Sequence, residues 1–170
     1  MSSARSKTAV PYTESLRKRR VRKAGLVCFI LYMGVLVYFL FFADWYEHGP
    51  GTHFAAGVNL VPFREIRRYI GMLRGGRSLK PFLNLVGNVV GFIPFGFFLP
   101  VMTRTFHSFI RVLLMGFLFS LGVELLQLFT KAGSFDVDDI LLNTLGTALG
   151  YLLFILMDEL FIAFRRRHGR

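Results

Sequence analysis

The sequence predicts an all-α, polytopic membrane protein, with four transmembrane helices and one amphipathic interfacial helix in the first loop. Three observations carry this. Of 170 residues, 54% are hydrophobic, and the mean hydropathy is +0.50. That is more apolar surface than one soluble domain of this length hides. Four runs (25–43, 81–103, 112–130 and 140–157) are close to the roughly 20 residues that cross a bilayer, and only the third holds a charge, Glu124. The formal net charge of +11 comes largely from basic residues that flank these runs. Disorder is excluded by the hydrophobicity. The single cysteine, Cys28, lies in an apolar run and excludes an internal disulfide framework.

Each run must be helical, because a span in lipid has to satisfy its own backbone hydrogen bonds. The first has the basic flank of a signal peptide. Its apolar part is too long for one, however, and it ends in Phe-Phe-Ala-Asp-Trp-Tyr without a small-residue cleavage site. It reads as a retained helix, anchored at the interface by Trp45 and Tyr46. Fourteen Lys and Arg fall on the side of the two termini and seven on the other. The positive-inside rule then places both termini in the cytoplasm of a cell-membrane protein. Residues 1–24 and 165–170 are expected to be basic cytoplasmic tails around a membrane domain at 25–164.

The first loop opens on Gly49-Pro50-Gly51 and closes on Gly75-Gly76, both turn signals. Between them Phe63, Ile66, Tyr69, Ile70 and Leu73 repeat at helical spacing, with Arg64, Arg67, Arg68 and Arg74 on the other side of the wheel. This predicts a basic helix in the headgroup plane. Its arginines either anchor it there or contact an anionic headgroup or polymer.

Polar groups inside spans are costly and mark function or packing. Asn84 and Asn88 share a face of the second span; Ser120, Glu124 and Gln127 share a face of the third. Asp136, Asp138 and Asp139 stand at the mouth of the fourth, with Asn143 one turn further in. All lie within roughly 15 Å of one boundary, which predicts a polar pocket opening to the extracytoplasmic face. Three readings stay open for it. The groups bond to one another as interhelical glue, with Asp136 or Asp138 capping the fourth helix. Alternatively they bind a lipid-linked or amphiphilic ligand. In the third reading they catalyse, with Glu124 as general acid/base and the aspartates holding a divalent cation.

The four histidines (His48, His53, His107, His168) lack ligand spacing, and no triad, phosphate loop or nucleotide fingerprint is visible. No metal or cofactor is expected. Nucleic acid is set aside as a partner, since the basic tail lacks interleaved aromatics. The Gly87/Gly91 and Gly146/Gly150 pairs predict close helix packing, and Pro94 and Pro100 should bend or end the second helix.

Four blocks occur in order. They are Asn59-Leu60-Val61-Pro62-Phe63-Arg64-Glu65-Ile66; Asn84-Leu85-Val86-Gly87-Asn88 running into Phe92-Ile93-Pro94-Phe95-Gly96; Ser120 with Glu124-Leu125-Leu126-Gln127; and Ser134-Phe135-Asp136-Val137-Asp138-Asp139 through Asn143 to Gly150-Tyr151. Together, across about residues 26–157, they resemble the VanZ-like family of membrane proteins. One position departs: members often carry Arg before the Ser-Phe-Asp run, where this chain has Gly133, and Lys131 is the nearest cation. The resemblance implies a small helical protein of the bacterial cell envelope, in a family named after a member linked to glycopeptide (teicoplanin) resistance and without an agreed activity. The expectation is a non-enzymatic protein that binds or shields a lipid-linked or anionic envelope component, with membrane lipids as partners. The alternative is a membrane enzyme acting on a lipid-linked phosphate or glycan.

Overall fold

The computed structural model describes residues 12–48, 57–74, 80–131 and 133–168. Five α-helices dominate: α1 (Tyr12–His48), α2 (Arg64–Arg74), α3 (Lys80–Met102), α4 (Phe109–Thr130) and α5 (Val137–His168). Four of them are long and apolar enough to cross a membrane, along Arg20–Leu40, Phe82–Met102, Phe109–Thr130 and Val137–Arg167. This is an all-α, multi-pass membrane fold, with α2 as the shorter helix of the first connection. The turn signals at Gly49-Pro50-Gly51 and Gly75-Gly76 lie outside the described residues, as do the side chains of Trp45 and Tyr46.

The helices outrun the hydrophobic stretches that predict them. Helix α1 continues back through the Arg/Lys-rich segment to Tyr12, and α5 continues to His168. Neither extension contains a proline, and Lys, Arg, Glu and Leu are good helix formers. Helix α3 likewise runs through Pro94, which therefore does not end it, and Pro100 lies two residues before its end. Tyr32 of α1 donates to the Gly91 carbonyl (2.6 Å), three residues before Pro94, and ties α1 to α3 there.

Helices α3 and α5 run side by side in the same direction, and glycine makes their approach possible. A Cβ on Gly146 would strike the Val89 carbonyl, one on Gly150 the Ile93 carbonyl, and one on Gly96 the Thr147 carbonyl. On α4, Gly116 similarly makes room for the Thr147 side chain. The Gly146/Gly150 expectation therefore holds. On α3 the expected stripe does not form: a Cβ on Gly87 would meet nothing within 4 Å, and one on Gly91 only ordinary contact with Leu36. Gly96, which no spacing rule singled out, is the close-approach residue of α3.

Leu36, Phe92, Phe95, Leu99, Val112 and Tyr151 form the apolar core. Phe95 and Phe119 stack with ring centroids 5.1 Å apart. The α3–α4 connection is a short 3₁₀ turn (Arg104–Phe106), onto which the Tyr151 hydroxyl donates at the His107 carbonyl (2.6 Å). At the opposite end, Lys131 ends α4 in the left-handed region (φ 56°). The chain then turns into a two-residue strand, β2 (Phe135–Asp136), which pairs in parallel with β1 (Val58–Asn59). This small sheet pins the connection carrying α2 to the start of α5.

Candidate functional site: a carboxylate frame under a basic helix

Helix α2 begins without a capping residue of its own. Pro62 and Phe63 precede it, and neither side chain accepts a hydrogen bond from the free N–H groups of a first turn. The acceptor comes from α5. Asp138, fully buried, takes the Phe63 N–H on one carboxylate oxygen. Its other oxygen takes the N–H groups of Glu65 (2.8 Å) and Ile66 (3.2 Å). Phe63 reaches this cradle at φ 64°, a left-handed conformation that costs a bulky residue about 1–2 kcal/mol. A carboxylate at a helix N-terminus also meets the positive end of the dipole.

Asp136 anchors the neighbouring turn. Its Oδ1 accepts from the Asp138 backbone N–H (2.8 Å), which caps α5, and from Asn59 Nδ2 (2.9 Å). Burial pushes its carboxyl above the ordinary aspartate range; those two donors pull the other way, and the charges of Asp138 and Glu65 add to the rise. Glu124, buried on α4, accepts the Asp136 N–H at 2.9 Å. Asn59 Oδ1 also accepts the Val61 N–H (3.2 Å), an Asx turn that shapes the approach to α2.

The other polar residues extend the network. Asn88 of α3 donates to Asp139. Asn84, exposed, donates to the Tyr69 hydroxyl at 3.3 Å. Burial lifts the Tyr69 pKa above its ordinary value, helped by the charge of Asp139 and opposed by the Asn84 contact. Deeper in, Asn143 Nδ2 donates to Ser120 Oγ (2.9 Å), while Asn143 Oδ1 is buried without a hydrogen-bond partner among the described residues. Gln127 goes elsewhere: it donates to the Leu40 carbonyl of α1 (2.8 Å). The predicted α4 face therefore divides, with Ser120 and Glu124 on α5 and β2 and Gln127 on α1.

The two charged readings fare differently. Asp136 and Asp138 point their carboxylates at N–H donors, and among the described residues no three His, Cys, Asp or Glu side chains gather to hold a metal ion. Lys131 is exposed and forms no ion pair among the described residues, while Gly133 packs beside Gln127. On α2, Arg68 pairs with Glu65 (3.0 Å). Arg64, Arg67 and Arg74 are exposed and form no ion pair among the described residues.

The wheel of α2 divides differently from expectation. Ile66, Tyr69 and Leu73 turn inward and are half-buried, but Phe63 and Ile70 remain 52% and 42% exposed. Ile70 sits at the seam of the wheel, so tilting the buried side toward α3 leaves it among the arginines, while Phe63 precedes the helix in the left-handed conformation and is not placed by the wheel. Sequence reasoning missed Asn59 and Tyr69 as partners in the site. The missing cap before Arg64 was the available signal that an acceptor must come from elsewhere in the chain.

No curated protein and no solved structure matches the chain. Residues 29–158, which take in the four ordered blocks and the carboxylate frame, match the VanZ/LLP1 family, and the chain is a multi-pass membrane protein belonging to that family.

Proposed function

We propose that the protein acts in the bacterial cell envelope without chemistry of its own, binding or shielding an anionic, lipid-linked component through the arginine face of α2. One observation carries the reading: Arg64, Arg67 and Arg74 stand exposed without ion pairs among the described residues, on a helix whose start is fixed by three hydrogen bonds to Asp138. Arginines held in place lose less freedom on binding an anion than arginines on a loose segment. The buried polar residues then serve as the frame that presents α2, and Asn84 braces it from α3 through the Tyr69 hydroxyl.

The excess of basic residues beside the termini supports a cytoplasmic location for both, which sets α2 at the extracytoplasmic surface. A lipid-linked cell-wall intermediate is the ligand that would connect this surface to glycopeptide resistance.

The test is lipid selectivity. With the protein in phosphatidylcholine bilayers, spin-labelled phosphatidylglycerol should associate preferentially over labelled phosphatidylcholine. Combined Arg64→Gln, Arg67→Gln and Arg74→Gln should abolish the preference, each arginine being worth about 1 kcal/mol near an anionic surface. A triple variant with undiminished preference would refute the proposal.

A further inference from the structure

The arginine face of α2 is not a purely polar face. Arg67, Ile70 and Arg74 follow one another at helical spacing, and Phe63 stands exposed just before the helix, so apolar and cationic side chains mix at this surface. Just before it, Val58, Leu60 and Val61 are also exposed, at 54%, 67% and 56%. These residues lie outside the four spans, so the hydrocarbon that covers the spans does not account for them. They are also held in place. The strand pair, the Asn59–Asp136 bond, the Asx turn at Val61 and the Asp138 cradle fix the backbone on which they stand.

Building on the reading of α2 as an anion-binding helix, we propose that this surface binds an anionic phospholipid of the surrounding leaflet as a whole amphiphile. The phosphate lies on Arg64 and Arg67, and the upper part of an acyl chain lies against Leu60, Val61, Phe63 and Ile70. Charge complementarity selects the head. The apolar residues between the arginines select a ligand whose hydrocarbon begins within a few ångströms of its phosphate. The headgroup–acyl boundary of a bilayer offers that combination at a single depth. A soluble phosphate ester or a polyanionic polymer satisfies the arginines and leaves the apolar residues uncovered.

The experiment compares three proteins in phosphatidylcholine nanodiscs doped with phosphatidylglycerol, read by native mass spectrometry for retained anionic lipid. The apolar variant combines Leu60→Ser, Phe63→Asn and Ile70→Gln. Asn tolerates the left-handed backbone at position 63, so the fold of the turn is preserved; amide-exchange protection at Glu65 and Ile66 no weaker than in wild type verifies this. The arginine variant is the triple glutamine protein. Wild type should retain phosphatidylglycerol, and the apolar variant should retain it about tenfold less, while both bind glycerol 1-phosphate with the same weak affinity. The arginine variant should lose both.

An apolar variant that retains lipid like wild type overturns this inference and leaves the anion reading standing. An arginine variant that retains lipid overturns both. Retention of an isoprenyl phosphate in preference to phosphatidylglycerol overturns the assignment to a phospholipid. In a Cys28→Ser background, crosslinking of two copies through Ile70→Cys would assign the face to self-association and overturn it as well.

Discussion

Removing the Asp138 carboxylate should release α2 while leaving the membrane bundle assembled. In Asp138→Ala the N–H groups of Phe63, Glu65 and Ile66 lose their acceptors. Left buried and unpaired, three donors cost about 3–9 kcal/mol. Against this, α2 is held by half-burial of Ile66, Tyr69 and Leu73, worth on the order of 1 kcal/mol each, or about 3 kcal/mol together. The penalty matches or exceeds the packing, so the helix lifts and its N–H groups find water or headgroups. Amide exchange at residues 63–66 should accelerate about 100-fold, the equivalent of roughly 3 kcal/mol. Exchange within α3 and α5 around Phe92 and Thr147 should not change. Asp138→Asn keeps one acceptor oxygen and should fall between. Asp139→Ala, one residue along but bonded to Asn88 of α3, should leave the three amides protected. Wild-type exchange at 63–66 in Asp138→Ala would show that the cradle does not hold α2.

Glycine substitutions should separate close-approach sites from open ones. Gly96→Ala and Gly146→Ala place a methyl on a backbone carbonyl and should each cost about 1–3 kcal/mol of stability in detergent; Gly87→Ala and Gly122→Ala, which meet nothing within 4 Å, should cost none by the same thermal-melt measurement. Phe63→Asn alone relieves the left-handed backbone at φ 64° and should stabilise the α2 turn by about 1 kcal/mol, read as slower exchange at Glu65 and Ile66. The raised pKa of Asp136 means that folding favours its protonated form. Its contribution is therefore greatest below the ordinary aspartate pKa and is lost as pH rises through the raised value. Asp136→Asn, which keeps the Oδ1 acceptor, should flatten that limb of the pH–stability profile.

The spans were legible because lipid imposes one requirement on every residue of a run, and length with hydropathy suffices to see it. The polar end of the bundle was legible as a place: Asn88, Ser120, Glu124, Asp136, Asp138, Asp139 and Asn143 do meet partners across helices or connections there. What each group does was not legible. Three neighbouring aspartates invite a cation site, and only the fold shows Asp138 turned to α2, Asp136 to Asn59 and its own helix, and Asp139 to Asn88. Gln127 shares the face of Ser120 and Glu124 but lies about two turns beyond Ser120 along α4, where it donates to the Leu40 carbonyl of α1. On α2, Ile70 sits at the seam of the wheel and is left among the arginines. A helical wheel gives angles and not the direction of the partner helix, so seam residues are where it fails.

The Asp138 cradle joins residues 73 positions apart in the chain, and this sets an order of events in biosynthesis. At about 5–20 residues per second, α2 leaves the ribosome on the order of 4–15 seconds before the carboxylate that will hold it. During that interval its first turn has no acceptor from its own sequence, and β1 has no strand to pair with. Docked α2 therefore reports that the last span has been made and inserted in the correct sense. A chain truncated before Asp136, or with its last span reversed, would carry the same arginines on an unfastened helix. The fixed placement of the α2 arginines is thus completed only by full assembly, and an unfinished molecule lacks it.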